Sequence, residues 1–258
     1  MSAQPSAKPI YLLDFDGVIC DSAVETAMTG WKAAQTLWQD MQGHSLAKSL
    51  IEQFRPVRPL LEVGYEAILI MRLLHQGQTA AAICQNYQRT MQTLIADEHL
   101  SIPQLQQLFG QTRDEWICHN PKDWLANNPL FTGVAQQLQH LSQQRESEWY
   151  IVTTKQERFV QQILAANAIE LADACIFGLD QPLNKQQVLQ QAIEKHPNTK
   201  LIFIEDRLQT LVNICKNPAL QSVCLQLVKW GYNTPQEQEI AQKYPIELIE
   251  LADFLRQA

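Results

Sequence analysis

The chain has 258 residues, 46% hydrophobic and 18% charged, with 12 Pro and 9 Gly. It is too apolar for a disordered protein and long enough for one large domain or two modest ones. A formal net charge of −7 leaves no general positive field to hold a nucleic-acid backbone or an anionic membrane, so neither is an expected partner. Six scattered cysteines without a C-x-x-C pair predict a reducing compartment. The polar stretch Met1–Pro9 lacks the apolar heart of a signal peptide, and no apolar run reaches the ~18 residues of a membrane helix. A cytoplasmic protein is expected.

Ile10–Phe15 is a short apolar run closed by acids and Gly17, the pattern of a buried strand opening into a tight loop. From Asp21 the period changes. Ser22 with Glu25 has the spacing of a capping box, and Val24, Ala27, Met28, Trp31, Ala34, Leu37, Trp38 and Met41 follow at helical spacing. Further helical patterns cover Ser45–Phe54, Pro59–His75, Thr79–Asp97 and Pro103–Cys118. Trp31 and Trp38 read as core of that helical block rather than as a stacking platform.

After Asn127-Asn128-Pro129, strand and helix alternate. A helix Val134–Gln144 leads to the strand Trp149–Val152 and the helix Glu157–Ala166. The run Cys175–Phe177 and the helix Lys185–Lys195 follow. Leu201–Ile204, the helix Leu208–Cys215 and Val223–Val228 complete the alternation. The expected architecture is α/β: a Rossmann-like, mostly parallel sheet flanked by helices, with an all-helical domain inserted after the first strand. Residues 8–20 and 129–258 would form the discontinuous core, and 21–128 the insertion.

In an open parallel sheet, ligands bind beyond the carboxyl ends of the strands. There the sequence places Asp14 and Asp16 with Gly17, then Thr153-Thr154-Lys155, then Lys185 at a helix start, then Glu205-Asp206. A calcium loop is excluded: aligning Asp14 and Asp16 to its third and fifth positions puts Leu12 at the first and Ala23 where the closing Glu belongs.

In this order DFDGVICDS (Asp14–Ser22), IVTTK (Ile151–Lys155), Lys185 and LIFIED (Leu201–Asp206) resemble the four motifs of the haloacid dehalogenase-like (HAD) hydrolase superfamily. The tail VKWGYNTP (Val228–Pro235) is similar to a segment of its phosphoglycolate-phosphatase-like branch. The resemblance implies a helical cap after the first motif, at the point where the period changes. It further implies that Asp14 is the nucleophile and Asp16 the general acid and base. Mg²⁺ would lie between Asp14, the Asp16 carbonyl and Asp206, with Glu205 nearby, while Thr153, Thr154 and Lys185 would hold the phosphoryl group. The acid at Asp16 favours phosphate chemistry over dehalogenation. A phosphatase of a small phosphorylated metabolite is the leading expectation. A sugar phosphomutase and a non-catalytic binding protein on the same fold are the alternatives. Arg207 and the run Leu208–Val212 replace the small residues usual after the last motif, and Arg55 and Arg58 in the insertion are candidate specificity residues.

Overall fold

The computed structural model describes residues 8–143 and 148–256. Strands β1 (Ile10–Leu13), β2 (Trp149–Val152), β3 (Ile176–Phe177), β4 (Leu201–Glu205), β5 (Cys224–Val228) and β6 (Ile246–Ile249) form one six-stranded sheet in the order β3-β2-β1-β4-β5-β6. Every pairing is parallel. All four residues of β1, all four of β2 and all five of β4 are buried, as unbroken apolar runs require when helices cover a sheet on both faces. Tyr11 stands opposite Trp149 on one side and Ile202 on the other, so β1 is central.

The chain divides into two compact units, 1–21 with 130–258 and 22–129. The second unit is helical: α1 (Ala23–Leu37), α2 (Lys48–Phe54), α3 (Glu66–His75), α4 (Ala80–Gln85), α5 (Tyr87–Asp97), α6 (Ile102–His119) and α7 (Pro121–Ala126). Its core gathers Trp31, Trp38, Met41, Phe54, Ile68, Leu69 and Phe109, which gives both tryptophans the packing role read from their spacing. The sheet unit adds α8 (Val134–Gln143), α9 (Glu157–Ala166), α10 (Lys185–Lys195), α11 (Leu208–Cys215), α12 (Pro235–Ala241) and α13 (Leu251–Phe254). Its core includes Leu12, Val152, Leu189, Phe203, Leu211 and Leu227.

Several boundaries differ from expectation for identifiable reasons. The first helix stops at Leu37 because Trp38 turns extended (φ −118°, ψ 118°), and a 3-10 turn then buries Met41. The capping box does not form. Ser22 makes no side-chain cap bond, and Glu25 is fully buried, taking Arg113 Nε and Nη2 (both 2.8 Å), Thr29 Oγ1 (2.7 Å) and Trp124 Nε1 (3.2 Å). Helix α3 begins only at Glu66, whose carboxylate accepts from the amides of Glu62 and Val63 and so ties down the turn that precedes the helix. Thr79–Asp97 is two helices, broken at Asn86 (φ −134°, ψ 37°). Helices α7, α12 and α13 and the edge strand β6 were not expected from the pattern. Gln144, the expected last residue of the helix from Val134, lies outside the described residues. Among the described residues no helix is long and apolar enough to cross a membrane.

Candidate active site

Strand β1 delivers Asp14 to the carboxyl edge of the sheet, where its amide donates to the Ile204 carbonyl (2.9 Å). The chain then reverses tightly: the amides of Ile19 and Cys20 both donate to the Phe15 carbonyl, and the Gly17 amide to the Cys20 carbonyl. Gly17 has φ +87°, and a side chain there would lie 2.0 Å from Asp206 Oδ2. Only glycine supplies both the left-handed backbone and the room for a carboxylate beside it.

Strand β4 ends in Glu205, fully buried, and Asp206, almost fully buried, follows it. One carboxyl oxygen from each of Asp14, Glu205 and Asp206 lies within 4.8 Å of the others. Lys185, at the start of α10, places its ammonium 3.0 Å from Asp14 Oδ1 and 2.6 Å from Glu205 Oε2. The other oxygen of Glu205 accepts from the Arg207 amide (3.1 Å), so this carboxylate is held on both sides. Burial pushes the Asp14 carboxyl group up to about 7; the charge of Glu205 adds to the rise and Lys185 opposes it. Burial alone would lower Lys185, but Asp14 and Glu205 outweigh it and hold the ammonium above its ordinary range.

Asp206 is gripped by the segment after β5. Its Oδ2 accepts from the Tyr232 amide, and its carbonyl from Asn233 Nδ2, each at 2.8 Å. The same Asn233 nitrogen reaches the Val228 carbonyl (2.8 Å), stapling the ends of neighbouring strands. Tyr232 donates its hydroxyl to Asp21 (3.0 Å), and Trp230 its ring N–H to the Val18 carbonyl (3.1 Å). Gly231 carries no side chain because a Cβ would fall 2.4 Å from that of Asp206.

The structure therefore brings together Asp14, Lys185, Glu205 and Asp206. Asp16 is near the rim, with a side chain 22% exposed, and Thr153 is buried at the end of β2, its Oγ1 accepting from the Lys155 amide (3.1 Å). Thr154 is exposed on the following bend. Arg55 is exposed at the end of α2 and Arg58 half-buried at the next 3-10 turn, both in the helical unit and not among the strand-end residues. Two features escaped the sequence. Lys155 is buried, with its ammonium 3.0 Å from Asp16 Oδ1, although a lysine closing a strand ordinarily reads as solvated. The grip of Tyr232 and Asn233 on Asp206 joins residues too far apart in the chain for periodicity to reveal.

A pocket of buried acids with a glycine on either side suits a hard divalent cation with oxygen ligands. Of these carboxylates, Asp14 and Glu205 meet the ammonium of Lys185, and Asp16 meets that of Lys155.

No family model matches the chain, and no curated protein matches it either. Among solved structures it is similar to a predicted phosphoglycolate phosphatase from Haemophilus somnus 129pt, at 16% identity over 98% of this chain and 99% of that one, with a TM-score of 0.59. It is similar to a predicted phosphatase from Clostridium acetobutylicum at 16% identity over 98% of each chain, TM-score 0.58. It is also similar to a HAD family hydrolase from Deinococcus radiodurans R1, solved with bound phosphate and sodium, at 12% identity over 96% and 94% of the two chains, TM-score 0.52. The chain has the fold of the haloacid dehalogenase-like hydrolases.

Proposed function

We propose that this protein is a Mg²⁺-dependent phosphatase that hydrolyses a small phosphomonoester through an aspartyl-phosphate on Asp14. The observation that carries the reading is the Asp14 carboxylate, buried at the end of the central strand, contacted by Lys185 and set beside the paired acids Glu205 and Asp206. The names of the similar structures, two of them predicted phosphatases and one a hydrolase with bound phosphate, support it.

In this reading Asp14 attacks phosphorus while the bond to the leaving oxygen breaks, and Asp16 gives that oxygen a proton. Water then attacks the aspartyl-phosphate, Asp16 takes back a proton, and Asp14 is released. Lys185 and the hydroxyl of Thr153, with Thr154 beside it, face the charge that builds on the phosphoryl oxygens. Asp14, Asp206 and the Asp16 carbonyl would hold Mg²⁺, with Glu205 at its margin. When bound, the ion supplies the positive charge that keeps Asp14 ionised and draws the phosphate dianion to it. Glu205 holds Lys185 in place, and Gly17, Tyr232 and Asn233 hold Asp206. The helical unit is assigned as a substrate-selecting cap, with Arg55 and Arg58 as its candidate anion contacts on their sequence alone.

The test is phosphate release from phosphoglycolate, hexose phosphates and nucleotides, with Mg²⁺ and with EDTA, for wild type and Asp14→Asn. Release that requires Mg²⁺ and is lost in the variant supports the reading. Equal release by Asp14→Asn would remove the proposed nucleophile, and silence across the panel would return the weight to a binding protein.

A further inference from the structure

Among the described residues, Lys155 is a buried lysine at this edge of the sheet that the reaction above leaves unused. Its side chain is 3% exposed, and it reaches both oxygens of Asp16, at 3.0 and 3.4 Å. Its backbone is pinned from two sides: the amide donates to Thr153 Oγ1 (3.1 Å), and the carbonyl accepts from the Leu179 amide (3.1 Å). Fixing a lysine in this way costs solvation and rotamer freedom. Asp16 follows Asp14 in a turn and its side chain is the more exposed of the two, so a buried ammonium on both of its oxygens narrows the rotamers it samples.

We infer that Lys155 is a positioning residue: its ammonium fixes the Asp16 carboxyl group in the orientation from which a proton passes to the leaving-group oxygen. The inference rests on the proposed phosphatase reaction and on the acid role of Asp16. The step it serves is balanced. The Asp14 oxygen–phosphorus bond forms, the phosphorus–leaving oxygen bond breaks, and that oxygen takes the proton of Asp16 as its electron pair is released. Lys155 exchanges no proton. Its contribution is geometric, and it is felt only where the leaving oxygen needs a proton.

That condition supplies a test that a merely structural role would not pass. Alkyl phosphates expel a strongly basic alkoxide and depend on the acid, whereas p-nitrophenyl phosphate expels a stable phenolate and does not. The quantity to compare is kcat/KM, which reports the steps through transfer to Asp14 and is blind to breakdown of the aspartyl-phosphate. For Lys155→Met, kcat/KM for an alkyl phosphate should fall about 10–100-fold and that for p-nitrophenyl phosphate by less than about threefold, against the 10²–10⁴-fold typical of a whole general acid. Asp16→Asn, run beside it, should show the same selectivity more deeply. Should Lys155→Met not fold, Lys155→Gln, which is neutral and one atom too short to reach Asp16, carries the same expectation. In folded variants, equal losses on both esters, or no loss on either, would overturn the inference. If Asp16→Asn itself shows no leaving-group dependence, the acid role of Asp16 fails. If only Asp16→Asn shows it, the reaction stands and the role of Lys155 falls.

Discussion

Replacing Asp14 with Asn is expected to stabilise the metal-free protein at pH 8 by about 4 kcal/mol. The folded carboxyl group keeps its proton to about pH 7, against an ordinary value of 3.8, because burial and Glu205 together outweigh Lys185. The unfolded chain gives up this proton first. Stability from the group is therefore complete below its unfolded value and is lost as pH rises from there through about 7. At about 1.4 kcal/mol per pH unit, the loss reaches about 4 kcal/mol at pH 8 and less than half of that at pH 5. Asparagine does not ionise and escapes it. Urea unfolding of wild type and variant in EDTA at the two pH values reads the difference directly. Saturating Mg²⁺ should then reverse the order at pH 8, because an ion that binds only the folded wild type stabilises it by mass action. A variant no more stable than wild type in EDTA at pH 8, or equally favoured at both pH values, would refute the electrostatic reasoning.

Gly17→Ala should reduce Mg²⁺ affinity about 10–100-fold in calorimetric titration, since the new methyl group occupies the space of Asp206 Oδ2 and displaces the carboxylate; unchanged affinity would remove Asp206 from the ligand set. In the helical unit, Glu25→Ala should cost about 3–5 kcal/mol in urea unfolding, because it removes the fully buried carboxylate that takes two bonds from the Arg113 guanidinium, whose side chain is 13% exposed. Glu25→Leu combined with Arg113→Met should recover most of that loss, and a double variant as unstable as the single one would contradict the explanation.

The elements legible in the sequence are those whose environment is uniform along their length. IYLL, WYIV and LIFIE are buried at every position, so apolar runs alone mark β1, β2 and β4. β6 escaped because IELI alternates, with Glu247 exposed on an edge strand. The carboxyl-edge rule found Asp14, Lys185, Glu205 and Asp206, since parallel strands place their ends together whatever separates them in the chain. Glu25 shows the limit of local rules. Its spacing from Ser22 suits a cap, but a bidentate arginine from α6 and a tryptophan N–H from α7 offer the carboxylate more than one backbone amide does. Lys155 stood in the sequence at the end of β2, but its burial and its pairing with Asp16 were invisible for the same reason, the partner being supplied by a turn far upstream.

The position of β1 also governs the order in which the protein comes into being. Asp14 is translated well before both ladder partners of its strand, which come from beyond residue 148, and before the acids that complete its pocket. At about 5–20 residues per second, Asp14 waits roughly ten to forty seconds for Asp206. The helical unit faces no such delay, because residues 22–129 are contiguous and supply their own core. A nascent chain would thus carry a folded helical unit on an unpaired, wholly apolar first strand, and that strand is the segment a chaperone has most reason to cover during synthesis.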